Sequence, residues 1–357
     1  MCRSAFFGIV LACGLSAGGG EKDLTDRIAT ARKQLEPSLV ALKGEYSTDD
    51  FLATLAKQTS NVVVDRRQNR SKQSLTLDLE KASFWQALDR FCSLAGCTYT
   101  AYGSDGGVAL IDGTRRSEHV SYHGITRTAI KRITVTSDLE TGAGTCVIYL
   151  DVAWEPRFQP FYLGVGPVTA AYVSRGVAKE LKVHAPGRGQ LPVAGRSASE
   201  IEILLPPPPR TSPAIEALEG SFKFVGPSKM LTFRFKDIKA DAKLEQEEVS
   251  VHLLKVKEGL DRWLIEVQID NPEGTPGFES YQTWLDNNRI SLVSAKYTLS
   301  PEPNETVLFE TNRKAVVQYA FAAPKKAKLA DWALVYRTPG RIVKLTVPYR
   351  FKNVPLP

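Results

Sequence analysis

A six-residue β-motif that occurs twice does most to limit what this chain can fold into. Phe233-Arg234-Phe235-Lys236-Asp237-Ile238 returns as Tyr349-Arg350-Phe351-Lys352-Asn353-Val354, 116 residues later, with every position identical or chemically close. The same offset sets Ile201, Ile203, Leu205 and Pro208 against Val317, Tyr319, Phe321 and Pro324. Between these landmarks the frame slips, and Phe222, Phe224 and Pro227 match Leu334, Tyr336 and Pro339. A duplicated unit of this size is expected to be an antiparallel β-sandwich module. Alternation puts Phe233 and Phe235 on one face, as it does Tyr349 and Phe351, with Arg234 and Arg350 on the other. Each motif strand is expected to end its own module.

At 357 residues the chain has length for two or three domains with cores of their own. Five segments are expected: a signal peptide over 1–20, a solvated lead-in helix over 21–36, an α/β domain over 37–113, and sandwich modules over 114–241 and 242–357. The expected class is therefore α+β multidomain, a small two-helix α/β domain followed by two tandem antiparallel sandwiches.

The N-terminus has the layout of an export signal. Arg3 precedes an apolar run from Ala5 to Leu15, then small residues from Ser16 to Gly20, then Glu21-Lys22-Asp23. Val10-Leu11-Ala12-Cys13 also resembles a bacterial lipoprotein box, which would lipidate Cys13. Cleavage near Ala17 or Gly18 and lipidation at Cys13 stay as alternatives. Both place the protein in the periplasm or cell envelope of a bacterium. No later stretch is apolar for long enough to span a bilayer.

Residues 38–112 alternate strand and helix signals. Ser47 with Asp50, and Ser83 with Gln86, have capping-box spacing. Phe51, Leu52, Leu55 and Ala56 line one helix; Phe84, Ala87, Leu88, Phe91, Cys92 and Ala95 line the other, with Gly96 placed to end it. Val62 to Val64 reads as a short buried strand. Leu75, Leu77 and Leu79 alternate with polar residues as a half-buried one.

Leu52-x-x-Leu55-Ala56-x-Gln58-Thr59-x-x-Val62-Val63-Val64, Leu75-x-Leu77-x-Leu79, Phe84-x-x-Ala87-Leu88-Asp89 and Gly96-Cys97-x-Tyr99 resemble the secretin and TonB short N-terminal domain. The resemblance covers residues 38–112 and implies a periplasmic protein-interaction module without catalytic residues. No series of transmembrane barrel strands follows Asp112, so it implies docking rather than a pore.

Chemistry-bearing patterns are sparse. With 4 His and 5 Cys, scattered, no metal, cofactor or redox centre is expected. His119 and His123 lack further ligands at metal spacing. Trp154, Glu155, Arg157, Phe158, Phe161 and Tyr162 form the best candidate binding surface. They suit stacking and hydrogen bonding to a sugar or peptide, or alternatively a packed turn that plugs a sandwich end. Cys92 and Cys97 are a candidate disulfide or two reduced core thiols. The net charge of +7 favours acidic partners, though the export signal argues against nucleic acid. No nucleophile elbow, phosphate loop or dinucleotide fingerprint occurs. The expected function is a non-enzymatic envelope scaffold that binds protein or cell-wall polymer. A secreted carbohydrate-active enzyme with its site near Trp154–Tyr162 is the alternative.

Overall fold

The computed structural model describes residues 26, 29–33, 35–70, 74–103, 107–114, 118–174, 177–181, 183, 190–271, 287–303, 305–311 and 313–357. The signal segment 1–20 and Cys13 lie outside them. Residues 29–33 are helical, and Ala31 and Leu35 are buried in the core of the β-strands that follow. The lead-in is thus a packed helix rather than a solvated one.

The first unit contains β1 (Leu39–Tyr46), α1 (Thr48–Thr59), β2 (Val63–Asp65), β3 (Leu75–Ser83), α2 (Phe84–Ala95), β4 (Cys97–Thr100) and β5 (Val108–Asp112). The Ser47 hydroxyl accepts from the Asp50 amide at 3.2 Å to start α1. Ser83 and Gln86 form a reciprocal box at the start of α2, and Gly96 ends it in the left-handed region at φ 62°. β1 pairs with β3, while β2 and β4 flank β5. Phe51 and Phe91 stack with centroids 4.1 Å apart in the middle of this unit's core. Val62 and Val64 point outward, 64% and 47% exposed, so β2 is not the buried strand expected.

After it come β6 (Val120–His123), β7 (Thr126–Ser137), β8 (Gly144–Trp154), β9 (Tyr162–Ser174), β10 (Val177–Leu181), β11 (Gln190–Pro192), β12 (Ala198–Leu205) and β13 (Ala214–Pro227). The remaining strands are β14 (Met230–Phe235), β15 (Lys243–Gln246), β16 (Val249–Glu258), β17 (Arg262–Asp270), β18 (Arg289–Val293), β19 (Thr298–Leu299), β20 (Thr306–Glu310), β21 (Lys314–Ala322), β22 (Ala333–Pro339) and β23 (Ile342–Pro355). At 58% strand and 11% helix, the described residues are mostly β, which overturns the expected α+β class. Helical periodicity is confined to short stretches ahead of residue 96. Nearly everything after 118 alternates with the period of a strand.

These strands build two sandwich-like units, each a pair of sheets around one core. In the first, β12-β8-β7-β6 faces β10-β9-β13-β23; in the second, β21-β17-β16-β15 faces β19-β18-β22-β14. Position for position the orders correspond, with β20 added outside β21. β12 and β21, carrying Ile201–Leu205 and Val317–Phe321, stand in matching places, and so do β14 and β23, carrying the repeated motif.

The expected boundary between 241 and 242 is wrong, however, because the motif strands are exchanged. β14 follows β13 in the chain but pairs with β22, setting Phe233 opposite Tyr336 and Phe235 opposite Leu334. β23 follows β22 but pairs with β13, setting Phe351 opposite Leu218. The first sandwich-like unit is therefore 119–227 plus 342–355, and the second is 230–339. Each motif strand completes the other unit's sheet. At the crossing the two connections pair with each other: Ser228 N–H donates to Arg341 O at 2.8 Å, and Gly340 N–H to Lys229 O at 2.9 Å. Residues 214–235 and 333–355 thus form one two-stranded ribbon that runs through both units.

At the crossing Pro227 and Pro339, and Met230 and Ile342, correspond, which is the slipped frame and not that of the motif. The motif in β23 stands four residues further along its strand. An even displacement keeps the same side chains inward. Phe233, Phe235, Tyr349 and Phe351 are all buried, while Arg234 and Arg350 face out.

Candidate functional site

The loop after β8 does not form the open surface expected of it. Trp154 and Phe158 are buried, each packed edge-on against Phe224 with centroids 5.4 and 6.0 Å apart. Phe161 is buried too, and Tyr162 is half-buried at the start of β9. No stacking platform for a sugar is left.

Glu155 is fully buried and holds the first unit to the β-sheets. Its carboxylate accepts from Ser38 N at 3.2 Å, Ser38 Oγ at 3.1 Å, Asn61 Nδ2 at 3.0 Å and Arg157 Nε at 2.5 Å. Arg157 also donates its amide to Asn61 Oδ1 at 2.9 Å and its guanidinium to Glu36 O. A buried carboxylate is tolerated when charge and hydrogen bonds surround it in this way. The polar residues that suggested ligand chemistry form a sealed joint. With them the carbohydrate-active reading loses its proposed site.

A second seam, where α2 and β4 meet β6 to β8, does contain open volume. A cavity of about 270 Å³ is lined by Asp89, Cys92, Cys97, Tyr99, Tyr122 and Arg127, among others. Arg127, 1% exposed, donates from Nε to Asp89 Oδ2 at 2.7 Å. Its Nη1 lies 3.9 Å from Asp151 Oδ2 and has no hydrogen-bond acceptor. Tyr99 donates to Asp89 Oδ1 at 2.7 Å, Tyr122 to Asp89 Oδ2, and Tyr102 to Asp151 Oδ1 at 2.5 Å. Trp85 Nε1 adds a bond to Ile125 O at 3.1 Å across the same seam.

One guanidinium thus bridges carboxylates from α2 and β8, with three phenols donating around it. Burial opposes the charge on Arg127, but Tyr99 and Asp89 more than offset this and raise its pKa. Burial first, and then Asp89, pushes the Tyr122 phenol up, so it remains a neutral donor. Asp89, Tyr99, Tyr122 and Arg127 come from four separate elements, and no sequence spacing announces their meeting.

Two thiols complete the cavity wall. Cys92 lies in the last turn of α2 and Cys97 opens β4, and the left-handed Gly96 between them brings both to one side. They are within hydrogen-bonding contact and are not bridged, so the candidate disulfide is absent from this structure. The hydrogen bond from Cys92, and then the charge of Arg67, lower the Cys97 pKa. The same hydrogen bond, with burial, pushes Cys92 up. Once one thiolate exists, the second proton is held tightly. Cys146 is enclosed in the first sandwich-like unit, and burial raises its pKa.

Among the described residues no three His, Cys, Asp or Glu side chains converge as metal ligands, and none of the helices is long and apolar enough to cross a membrane. His119 and His123 lie at β6, half-buried and exposed respectively.

A different kind of surface lies at the far edge of the second unit. β20 is the outermost strand of its five-stranded sheet, and every residue in it is exposed. Val307, Leu308 and Phe309 are 45%, 50% and 49% exposed. A register irregularity between Val307 and Phe309 displaces Leu308 from the ladder.

Comparison with protein-family models, curated proteins and solved structures finds no match to this chain.

Proposed function

We propose that the protein is a non-enzymatic, exported scaffold of the cell envelope that holds an extended segment of a partner protein against β20. The supporting observation is the three successive half-exposed apolar residues on an open edge. Edge strands are usually short, charged or covered, because their free N–H and C=O groups template pairing with another chain. Val307-Leu308-Phe309 is uncharged and, among the described residues, uncovered; the irregularity at Leu308 is its one interruption. In strand addition the main chain supplies affinity and alternate side chains supply specificity. An apolar segment without acidic flanks fits best, since exposed Glu305 and Glu310 bracket the three apolar residues. The ribbon of residues 214–235 and 333–355 runs behind that edge through both sandwich-like units.

A photo-crosslinker in place of Leu308 is expected to join a partner through such an extended apolar segment. Leu308→Lys is expected to abolish the join while changing stability by no more than about 0.5 kcal/mol, the usual range for a surface site. Crosslinks only to a second copy of this chain, or to none, would overturn the reading.

Export rests on the order of Arg3, the apolar run 5–15 and the small residues 16–20. The mass of the native N-terminus checks it. A start near Gly18, or a lipidated Cys13, is expected; an intact, unmodified Met1 would rule export out.

A further inference from the structure

We propose that Cys92 and Cys97 are a redox-active dithiol that exchanges with disulfides entering the seam cavity, with Cys97 as the attacking sulfur and Cys92 as the resolving one. Their placement carries the inference. The αL turn at Gly96, whose N–H caps Cys92 O, folds the start of β4 back beside the end of α2. Both residues line the same cavity of about 270 Å³, which gives the thiols a route to solvent despite side chains that are largely enclosed.

Arg67 supplies the activating charge. It is anchored by Asp65, with Nε to Oδ1 at 3.0 Å and Nη2 to Oδ2 at 2.9 Å, and by Thr48 Oγ1 at 2.9 Å. From that position its charge favours the thiolate of Cys97. A thiolate beside a fixed cation attacks at neutral pH, whereas an ordinary buried thiol is inert. The other charges facing the pair are Asp65, which opposes ionisation of Cys97, and Asp89, which opposes that of Cys92. Arg67 beside Cys97 and Asp89 beside Cys92 assign the roles.

The Cys97 thiolate attacks one sulfur of a disulfide RS–SR, and RS⁻ leaves with the electron pair, giving a Cys97–SR mixed disulfide. Cys92 gives its proton to solvent and attacks Cys97 Sγ, expelling the second RS⁻ and closing the Cys92–Cys97 bond. One disulfide is reduced to two thiols as the dithiol is oxidised. The sequence marks the two cysteines as a pair, and only the structure sets the charge of Arg67 beside them.

The test uses the full chain with glutathione disulfide as oxidant and iodoacetamide as reporter, sites being resolved by peptide mass mapping. Cys97 alkylation is expected to be half-maximal well below pH 9.0, with the midpoint moving toward 9.0 in Arg67→Gln. The parent should form the Cys92–Cys97 bond without a lasting adduct and be reduced again by dithiothreitol while folded. Cys92→Ser should instead accumulate the glutathione adduct at Cys97, an outcome that does not depend on Arg67→Gln folding. An ordinary thiol pH profile at Cys97, no adduct in Cys92→Ser, or a bridge that resists dithiothreitol in the folded chain would each overturn the proposal.

Discussion

Deleting residues 342–357 is expected to unfold the first sandwich-like unit and leave the second folded. In a simple tandem the last strand belongs to the last module, and the opposite result would follow. Here β23 is an edge strand of the first unit, and Val343, Val347, Tyr349, Phe351 and Val354 are buried in that unit's core. Burying a side chain of this size contributes about 1.5–3 kcal/mol, so five of them rival the whole ~5–15 kcal/mol stability of a typical domain. The deletion also leaves the long β13 without its partner on that side. The second unit keeps β14, which pairs with β22 and inserts Phe233 and Phe235 into its core. Hydrogen exchange read by mass spectrometry decides it: peptides from β7, β8 and β12 should lose protection, while those from β16, β17 and β21 keep it. The milder form is a pair of substitutions. Phe351→Ala should cost about 3–5 kcal/mol in the first unit, and Phe235→Ala a similar amount in the second. Loss of protection at 249–322 on deleting β23 would show that the strands are not exchanged.

Arg127→Met is expected to destabilise the seam between α2 and β7 by about 3–5 kcal/mol, the usual cost of removing one partner of a buried ion pair. The loss falls on what remains. Asp89 would keep two phenol donors but lose its counter-charge, and Asp151 would keep Tyr102 and the enclosure of a 4% exposed side chain. Arg127→Lys should not restore the clamp, because a point charge cannot bridge two carboxylates as a planar fork does. Asp89→Asn in the Met background should recover part of the loss, with a coupling of about 0.5–3 kcal/mol. Protection of amides in α2 and β7 is the measurement. A change within about 0.5 kcal/mol would show that the guanidinium is effectively solvated.

What the sequence determines here is local. The spacings Ser47 to Asp50 and Ser83 to Gln86 mark where α1 and α2 begin, because capping depends on neighbours a few residues apart. Alternation settles which of Phe233, Arg234 and Phe235 points inward, and the 116-residue repeat identifies strands that occupy matching places. What only the tertiary structure decides is which partner each surface meets. β14 satisfies its alternation equally well beside β13 or β22, since main-chain hydrogen bonds carry no record of the side chains on the neighbouring strand. Trp154, Glu155 and Arg157 have the composition of a binding loop, and only the approach of Ser38 and Asn61 turns them into a joint. Val307-Leu308-Phe309 has the composition of a core strand, and only its place at the sheet's end exposes it. The Cys97 pKa is lowered by Cys92 and then by Arg67, thirty residues away in the chain and on a different strand's end. Propensity and periodicity act over one turn or one pleat, whereas burial, charge pairing and edge exposure are set by whatever comes to lie alongside.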